Sequence, residues 1–216
     1  MVQSLLRERP PIRVSRGEQT RDRIMDVAEA SVLAKGFAAT SIDEILFEAD
    51  ITKSGFFYHF RDKNDLALAL IERFRDRDLG VFEDIFRRAE ELSDDPLHAY
   101  LVGLKLLAET MADMQAARPG CLVATFVYQD QQFDARVRAL LVEMTEVWRA
   151  QFRARIEAVA AVHPPRIEVD LEALADMLLT VVDGGIVIAK ALGRPRMLED
   201  QILAYRAFVR TVFLGS

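Results

Sequence analysis

Residues 51–63 read ITKSGFFYHFRDK, and this stretch decides how the N-terminal part of the chain folds. Its four aromatic side chains, Phe56, Phe57, Tyr58 and Phe60, fall within about two turns of a predicted helix. A spacing of four residues puts Phe56 and Phe60 on one helix face, which we expect to pack inward. The sequence therefore predicts a short helix with one aromatic face buried and the other exposed.

The opposite face of this helix combines basic, polar, small and aromatic residues. Lys53 and Phe57 form one row along it, and Ser54 and Tyr58 form a second row. Gly55 lies between the rows and has no side chain, so the backbone there could approach a partner closely. Lysine can donate to guanine or to phosphate, and serine can reach either a base or a phosphate. This face therefore suits the major groove of DNA.

A second predicted helix lies immediately before this one. It begins at Ser41, which forms a predicted capping box with Glu44, and it runs to about Ala49. Two or three residues around Asp50 join it to the helix whose N-cap is Thr52. This spacing is typical of a helix-turn-helix.

Two further helices complete the predicted N-terminal unit. The first runs roughly from Glu18 to Lys35 and ends at Gly36, since glycine accepts a left-handed conformation at a helix end. The other follows its predicted N-cap, Asp62, and its first turn carries Lys63, where a basic side chain and helix-end amides together attract a phosphate.

The rest of the chain also has helical spacing. Apolar residues recur three and four positions apart, and hairpin signals are almost absent, which indicates an all-α protein. Proline and glycine separate the predicted helices, which cover about residues 96–114, 121–129, 132–161, 168–192 and 197–213.

Charge is unevenly distributed along the 216 residues, whose net charge is −6. The first 64 residues hold ten basic and ten acidic residues, and four arginines face one glutamate within residues 1–17. DNA binding needs only a local positive face. We expect a basic flexible arm (1–17), a helix-turn-helix DNA-binding domain (18–65) and a larger C-terminal helical domain (66–216). The arm could follow phosphates or a minor groove, or it could be a disordered tail.

Other protein classes find little support in the sequence. No run approaches about 18 uncharged apolar residues, and no signal peptide is recognisable, so we expect a cytoplasmic protein without a membrane span. The three histidines lie in separate elements without metal-ligand spacing, and phosphate-loop and nucleophile motifs are lacking. We therefore expect no enzyme, metal or cofactor. A helical carrier or interaction module remains the alternative, but it leaves residues 40–63 unexplained.

The stretch from Thr20 to about Phe74 resembles the N-terminal domain of the TetR/AcrR family of bacterial transcriptional regulators. Many positions match in register without gaps, over about a quarter of the chain. They are Thr20, Ile24, Ala28, Gly36, Phe37, Thr40, Ser41, Ile42, Ile45, Ala49, Ile51, Thr52, Lys53, Phe56, His59, Phe60, Lys63 and Leu66. The remaining helices resemble the family's ligand-binding and dimerisation domain in size and helix pattern.

The resemblance implies which residues contact DNA. They are Thr40, Ser41 and Lys63 for phosphates, Thr52, Lys53, Ser54 and Gly55 for base edges, and Tyr58 and His59 for the backbone. Two positions depart from the family pattern, in which glycine usually stands where this chain has Asp50 and tyrosine where it has Phe57. Aspartate tolerates a left-handed turn. Phe57 lacks a hydroxyl for phosphate, so its ring could contact a thymine methyl group.

The resemblance also implies a homodimeric repressor that a small-molecule ligand releases from its operator. The last two helices would pair with those of a second copy, and two half-sites would form an inverted repeat. Gly184 and Gly185, in the first of these helices, indicate close helix approach or, less directly, an opening toward a ligand cavity.

Two features of the C-terminal helices suggest ligand chemistry, each with a plainer alternative. Large side chains chosen as possible ligand contacts are Tyr100, Leu104, Phe126, Trp148, Phe152 and Met177. Such residues at helical spacing are more often ordinary core. The single cysteine, Cys121, follows a glycine near a predicted helix start, which could lower its pKa and make it a thiol sensor. A buried inert thiol is the alternative.

Overall fold

The computed structural model describes residues 15–117 and 120–215 of the chain. Within these ranges, the backbone forms nine α-helices, one short 3-10 helix (Asp130–Gln132) and no strand, which confirms the all-α class. The α-helices are α1 (Arg16–Lys35), α2 (Ile42–Glu48), α3 (Lys53–His59), α4 (Lys63–Glu91), α5 (Pro96–Ala117), α6 (Leu122–Val127), α7 (Ala135–Val162), α8 (Leu171–Leu192) and α9 (Arg196–Leu214). None of these helices is long and apolar enough to cross a membrane.

The first three helices pack around the rings of α3. Phe56 and Phe60 are buried in one apolar cluster with Ile24 and Ala28 of α1 and Ile45 of α2. The Phe56 and Phe60 rings lie 5.6 Å apart between centroids. The predicted inward face of α3 is therefore confirmed, and it holds the short α3 against the longer α1.

The turn between α2 and α3 depends on one unusual backbone conformation. Asp50 has φ 47°, and it is the only residue other than glycine with positive φ in the described ranges. This confirms that Asp50 tolerates a positive φ in the turn, as expected. Thr52 is the N-cap of α3, as predicted, because its hydroxyl accepts the backbone N–H of Gly55 at 3.2 Å.

Helix α1 begins two residues earlier than predicted. Ser15 and Glu18 form a complete capping box, in which the Ser15 hydroxyl accepts the Glu18 N–H and the Glu18 carboxylate accepts the Ser15 N–H. Arg16 therefore lies in α1 and not in the predicted arm, and residues 1–14 of that arm lie outside the described residues. Gly36 ends α1 with φ 86° and ψ 160°, a positive-φ conformation but not the predicted left-handed helical one.

Helix α4 connects the N-terminal helices with the rest of the protein. It begins after Asp62, whose carboxylate accepts the Asp65 N–H at 2.8 Å, and it continues without a break for 29 residues. The predicted division between residues 65 and 66 falls inside this helix. Its later turns pack against α5 and α7, while α5, α7, α8 and α9 form the remaining contacts of a helical bundle.

The two adjacent glycines of α8 have different surroundings. A Cβ added at Gly185 would lie 2.6 Å from Cδ1 of Leu198 on α9, so close helix approach explains this glycine. A Cβ added at Gly184 would meet nothing within 4 Å. Gly184 therefore lies on the open side of α8.

Candidate nucleic-acid interface and central cavity

The outward face of α3 is exposed, as its sequence predicts. Lys53 and Ser54 are exposed at its start, and the side chains of Phe57 and Tyr58 are 45% and 82% exposed. The Phe57 ring rests edge-on against the buried ring of Phe56, with centroids 5.4 Å apart. The buried row thus supports the exposed row, and α3 offers a rigid surface to a partner.

The three residues at the start of α3 differ in their hydrogen bonding. The hydroxyls of Thr52 and Ser54 are 3.0 Å apart and bonded to each other. Lys53 forms neither an ion pair nor a hydrogen bond with any residue that the structure describes. Its ammonium group is therefore available to a base edge or a phosphate.

Gly55 is half-buried on the same turn. A Cβ built there would lie 3.4 Å from the Thr52 hydroxyl oxygen, which is an ordinary contact. The fold therefore does not require glycine at this position, in contrast to Gly185. A partner molecule that approaches the α3 backbone closely would be a separate reason for glycine at this position.

Two of the residues implied for phosphate contact lie at helix starts. Ser41 is the exposed N-cap of α2, and its hydroxyl accepts the Glu44 N–H at 3.1 Å, so the serine half of the predicted capping box is present. The Glu44 carboxylate also accepts hydrogen bonds from Lys35 and Ser31.

Lys63 is more constrained than a surface lysine. Its Nζ donates to the Phe37 carbonyl at 2.5 Å and lies 4.3 Å from the centroid of the Phe37 ring. Burial lowers the pKa of the Lys63 ammonium. Lys63 therefore joins the start of α4 to the loop between α1 and α2.

Thr40 does not lie on this surface, so its implied phosphate contact is wrong. Its side chain is only 1% exposed. The hydroxyl donates to the Gly36 carbonyl at 3.0 Å and lies 3.0 Å from the Ser31 hydroxyl. Thr40 closes the loop after α1, and the burial of this loop could not be judged from a matching position alone.

His59 occupies the edge of the surface, next to α1. It is half-buried, and its ring meets the exposed Tyr58 ring edge-on, with centroids 4.9 Å apart. A Cβ at Gly17, in the first turn of α1, would lie 3.9 Å from His59 Cε1. His59 and Tyr58 thus border both α3 and the start of α1.

A junction joins these N-terminal helices to the C-terminal helices. The ring of Phe37, in the loop after α1, lies 5.4 Å from Phe126 of α6 and 4.7 Å from Phe133. The side chain of Gln129 accepts the Ala38 N–H at 3.1 Å. Phe126 therefore belongs to this junction and lines none of the pockets described below, which corrects its prediction as a ligand contact.

A cavity of about 60 Å³ lies between α4, α5, α7 and α8. Four aromatic side chains form much of its wall, namely Phe74, Phe82, Trp148 and Phe152. Trp148 and Phe152 are the two predicted pocket residues that line it. Gly120 and Cys121, just before α6, also reach its wall, so the cavity adjoins the helix that forms the junction.

The other predicted pocket residues lie elsewhere. Leu104 is fully buried in the core. Tyr100 stacks against Phe86, and its hydroxyl lies 3.3 Å from that of Tyr205, so it does not reach the central cavity. Met177 is 38% exposed on the outer side of α8. Size and apolar character did not distinguish a cavity wall from core or surface.

Acidic residues are the part of the cavity that the sequence interpretation missed. Asp78 of α4 and Asp183 of α8 both line it. Burial raises the pKa of Asp78 to about 6, although the Arg77 guanidinium donates to its carboxylate at 3.3 Å and opposes the shift. Burial also raises the pKa of Asp183. The only signal in the sequence was the position of Asp78, which falls in register with the apolar residues of α4.

Cys121 is the N-cap of α6, but it is not activated there. Burial raises the pKa of its thiol to about 12, and the nearby Asp183 and Asp78 act in the same direction. The thiol therefore stays protonated near neutral pH, and the thiol-sensor hypothesis is not supported. The alternative of an inert cysteine is the one that fits.

The outer faces of α8 and α9 carry exposed apolar side chains. They include Met177, Val187, Ile188 and Leu192 on α8 and Phe208 on α9. The more regular apolar row of α9 is buried within the chain and consists of Ile202, Tyr205 and Val209. A contact between copies would therefore use the outer row and not the whole apolar surface of these helices.

The chain is similar to known regulators over most of its length. The model described as "Bacterial regulatory proteins, tetR family" matches residues 24–70. The transcriptional regulator AcuR of Cereibacter sphaeroides is 29% identical over 77% of this chain and 74% of its own. The HTH-type transcriptional repressor DhaR of a Mycobacterium species is 24% identical over 85% of this chain and 88% of its own.

A solved structure shows the same fold. The TetR-family regulator from Agrobacterium tumefaciens superposes with a TM-score of 0.76 at 18% identity, covering 91% of this chain and 99% of that one. The similarity therefore includes the C-terminal helices as well as the helix-turn-helix.

Proposed function

This chain belongs to the TetR family of bacterial transcriptional regulators, and we propose that it is a homodimeric repressor released from its operator by a small-molecule ligand. In this proposal, residues 18–65 bind DNA, and residues 66–216 bind the ligand and form the dimer. The observation that carries it is the exposed face of α3, where the unpaired Lys53 projects from a helix fixed by buried rings.

Helix α3 enters the major groove in this mode of binding. Lys53 and Ser54 reach base edges, and Phe57 makes an apolar contact such as that with a thymine methyl group. Tyr58 and His59 border the backbone. Ser41 and Lys63 approach phosphates on either side of α3, where they set the position of the helix without reading sequence.

The exposed apolar row on α8 and α9 supports the proposed dimer. One helix-turn-helix covers a single half-site, and a two-fold dimer presents two copies to an inverted repeat. The row carries Ile188 and Phe208, which are 45% and 39% exposed. Pairing of these helices with a second copy would remove them from water.

Ligand release needs a physical connection between the cavity and α3. Cys121 at the cavity wall begins α6, and α6 carries Phe126 into the junction with Phe37. The backbone carbonyl of Phe37 in turn holds Lys63. A ligand that shifts the start of α6 would therefore displace the loop before α2 and change the spacing of the two α3 helices. Among the relatives, DhaR is named a repressor.

A DNA-binding titration with single lysine variants tests this proposal. We expect Lys53→Ala to weaken binding to DNA from directly upstream of the gene roughly tenfold. The ratio of its affinity for this DNA to its affinity for unrelated DNA should also fall. Lys63→Ala should weaken binding to both DNAs alike and lower the salt slope by about one. Gel shifts at two salt concentrations measure both effects.

The matched control is Lys105→Ala, which removes an exposed lysine paired with Glu109 on α5. Its affinity and salt slope should equal those of the wild type. Unchanged DNA binding in both Lys53→Ala and Lys63→Ala would contradict the assignment of α3 as the reading helix. Lack of salt-dependent binding to any DNA would favour a helical carrier instead.

A further inference from the structure

The central cavity has a wall suited to positive charge. Its aromatic rings come from α4 and α7, and each presents a π-face or edge to a bound group. Aromatic faces attract cations, with tryptophan the strongest of them, and the attraction grows when water is excluded. Trp148 is 7% exposed and lines this cavity.

The charges in the wall have one sign. Among the residues that the structure describes, Asp78 and Asp183 are the only charged residues that line it. Asp78 already has a partner, because Arg77 donates to it while also pairing with Glu29. Asp183 has no hydrogen bond or ion pair with any residue in the described ranges. Asp183 is exposed at the mouth of the cavity, so a carboxylate without a described partner faces the space in which a ligand would lie.

A buried donor in the same wall also lacks a partner. The indole N–H of Trp148 forms no hydrogen bond with the described protein atoms. Buried polar groups in folded proteins are nearly always bonded. The wall therefore contains an acid without a described partner and a buried donor, and the π-face of an aromatic ligand can accept the N–H of that donor.

Asp183 lies where the cavity meets a larger outer groove. Trp148, Leu179 and Asp183 line both the cavity and a groove of about 420 Å³ beside α8. The inner cavity of about 60 Å³ has room for roughly two water molecules at about 30 Å³ each, so only a small part of an organic molecule fits inside it and the rest must occupy the groove. An apolar group inside and a charged group at Asp183 would use both spaces.

The geometry points to an organic cation as the ligand of this cavity, an amine or quaternary ammonium on an aromatic or branched apolar body. The body lies among Phe82, Trp148 and Phe152, and the ammonium group lies against the Asp183 carboxylate. An anion would lie against the carboxylates of Asp78 and Asp183, and a neutral molecule would form no charge pair with Asp183. This inference rests on the proposed function only in treating the cavity as the effector site.

Three soluble probes of nearly the same shape test the charge preference: benzylamine, benzyl alcohol and benzoate. Trp148 is the only tryptophan of the chain, so its fluorescence reports on the cavity wall directly. Thermal stabilisation of the same full-length protein provides a second readout. At pH 7.5, where benzylamine is protonated, we expect it to bind at least tenfold more tightly than benzyl alcohol, and benzoate to bind most weakly.

A variant that lacks the Asp183 carboxylate tests whether this group causes the preference for the cationic probe. Asp183→Asn keeps the size of the side chain and should reduce benzylamine affinity about tenfold, to that of benzyl alcohol. Asp200→Asn removes an exposed aspartate of α9 that lines none of these spaces, and it should bind all probes as the wild type does. Melting temperatures establish that both variants are folded.

The inference would be overturned if benzyl alcohol or benzoate bound as tightly as benzylamine, or if benzylamine produced no response. It would also be overturned if Asp183→Asn still bound benzylamine more tightly than the other two probes. A parallel gel shift separates this result from the proposed function. Specific DNA binding without cation binding would overturn only the ligand class. Cation binding by a protein that binds no DNA would overturn only the regulatory function.

Discussion

Single residues in this protein differ most from expectation where burial decides their chemistry. Thr40 matches a DNA-contacting position by sequence, but its hydroxyl is enclosed by the loop after α1. Cys121 has the helix-start position of a reactive thiol, but its apolar surroundings raise its pKa. In both cases burial, which the local sequence pattern does not reveal, reverses the chemistry that the position suggests.

Asp78 gives a pH prediction of the same kind. Its pKa is raised from an ordinary 3.8 to about 6 by burial, so the folded state holds this proton more tightly than the unfolded state. The free energy of unfolding therefore falls as pH rises from about 4 to 6, and above that range the full loss, about 3 kcal/mol, is present. Arg77 opposes this shift, and Glu29 adds to it.

We expect Asp78→Asn to be more stable than the wild type at pH 7.5, by about 2 to 3 kcal/mol. Its stability should also depend less on pH between about 4 and 6. Urea unfolding across this range measures both effects, and Asp200→Asn serves as the exposed control. An equal pH dependence in wild type and Asp78→Asn would show that the Asp78 carboxyl is not responsible.

Among the elements, α3 is the one that the sequence predicted most completely. A four-residue spacing sorted its rings correctly into a buried row and an exposed row, because a short helix packed on one side follows its own periodicity. The start of α1 was missed although Ser15 and Glu18 carry the capping-box signal. Helix α4 was recognised at its N-cap, but only the structure shows that it continues unbroken to Glu91.

Gly55 provides a test of α3 that separates folding from recognition. Alanine fits there in the protein alone and favours a helix over glycine by about 1 kcal/mol. Gly55→Ala should therefore match or exceed the melting temperature of the wild type. Its affinity for the upstream DNA should fall about tenfold, because the added methyl group holds the α3 backbone away from the groove.

Gly80→Ala is the matched control for this prediction. Gly80 lies in α4, and a Cβ there would meet nothing within 4 Å, so alanine fits at this position too. This variant should gain similar stability and bind DNA normally. Normal DNA binding by Gly55→Ala would show that the backbone of α3 does not approach the DNA closely.

At the scale of the whole molecule, the sequence predicted the fold class but not the cavity. Periodicity identifies which face of each helix is apolar, and this was sufficient for an all-α bundle. It does not show which helices meet at a gap. Asp78 and Asp183 lie more than one hundred residues apart in the chain, and they line one cavity only because α4 and α8 both flank it. Phe126 was misplaced for the same reason, since its neighbours, Phe37 and Phe133, come from other elements.

The exposed apolar row of α8 and α9 leads to a prediction about the oligomeric state of the protein. We expect the wild type to sediment as a dimer and Ile188→Arg as a folded monomer, because an arginine at the two-fold contact would be desolvated without a partner. The monomer should lose most of its affinity for an inverted repeat while retaining the weak affinity of a single half-site. Leu92→Arg, at an even more exposed apolar position beyond the end of α4, should stay dimeric. A dimeric Ile188→Arg would exclude the outer row as the interface, and the two α3 helices would then need another arrangement to reach paired half-sites.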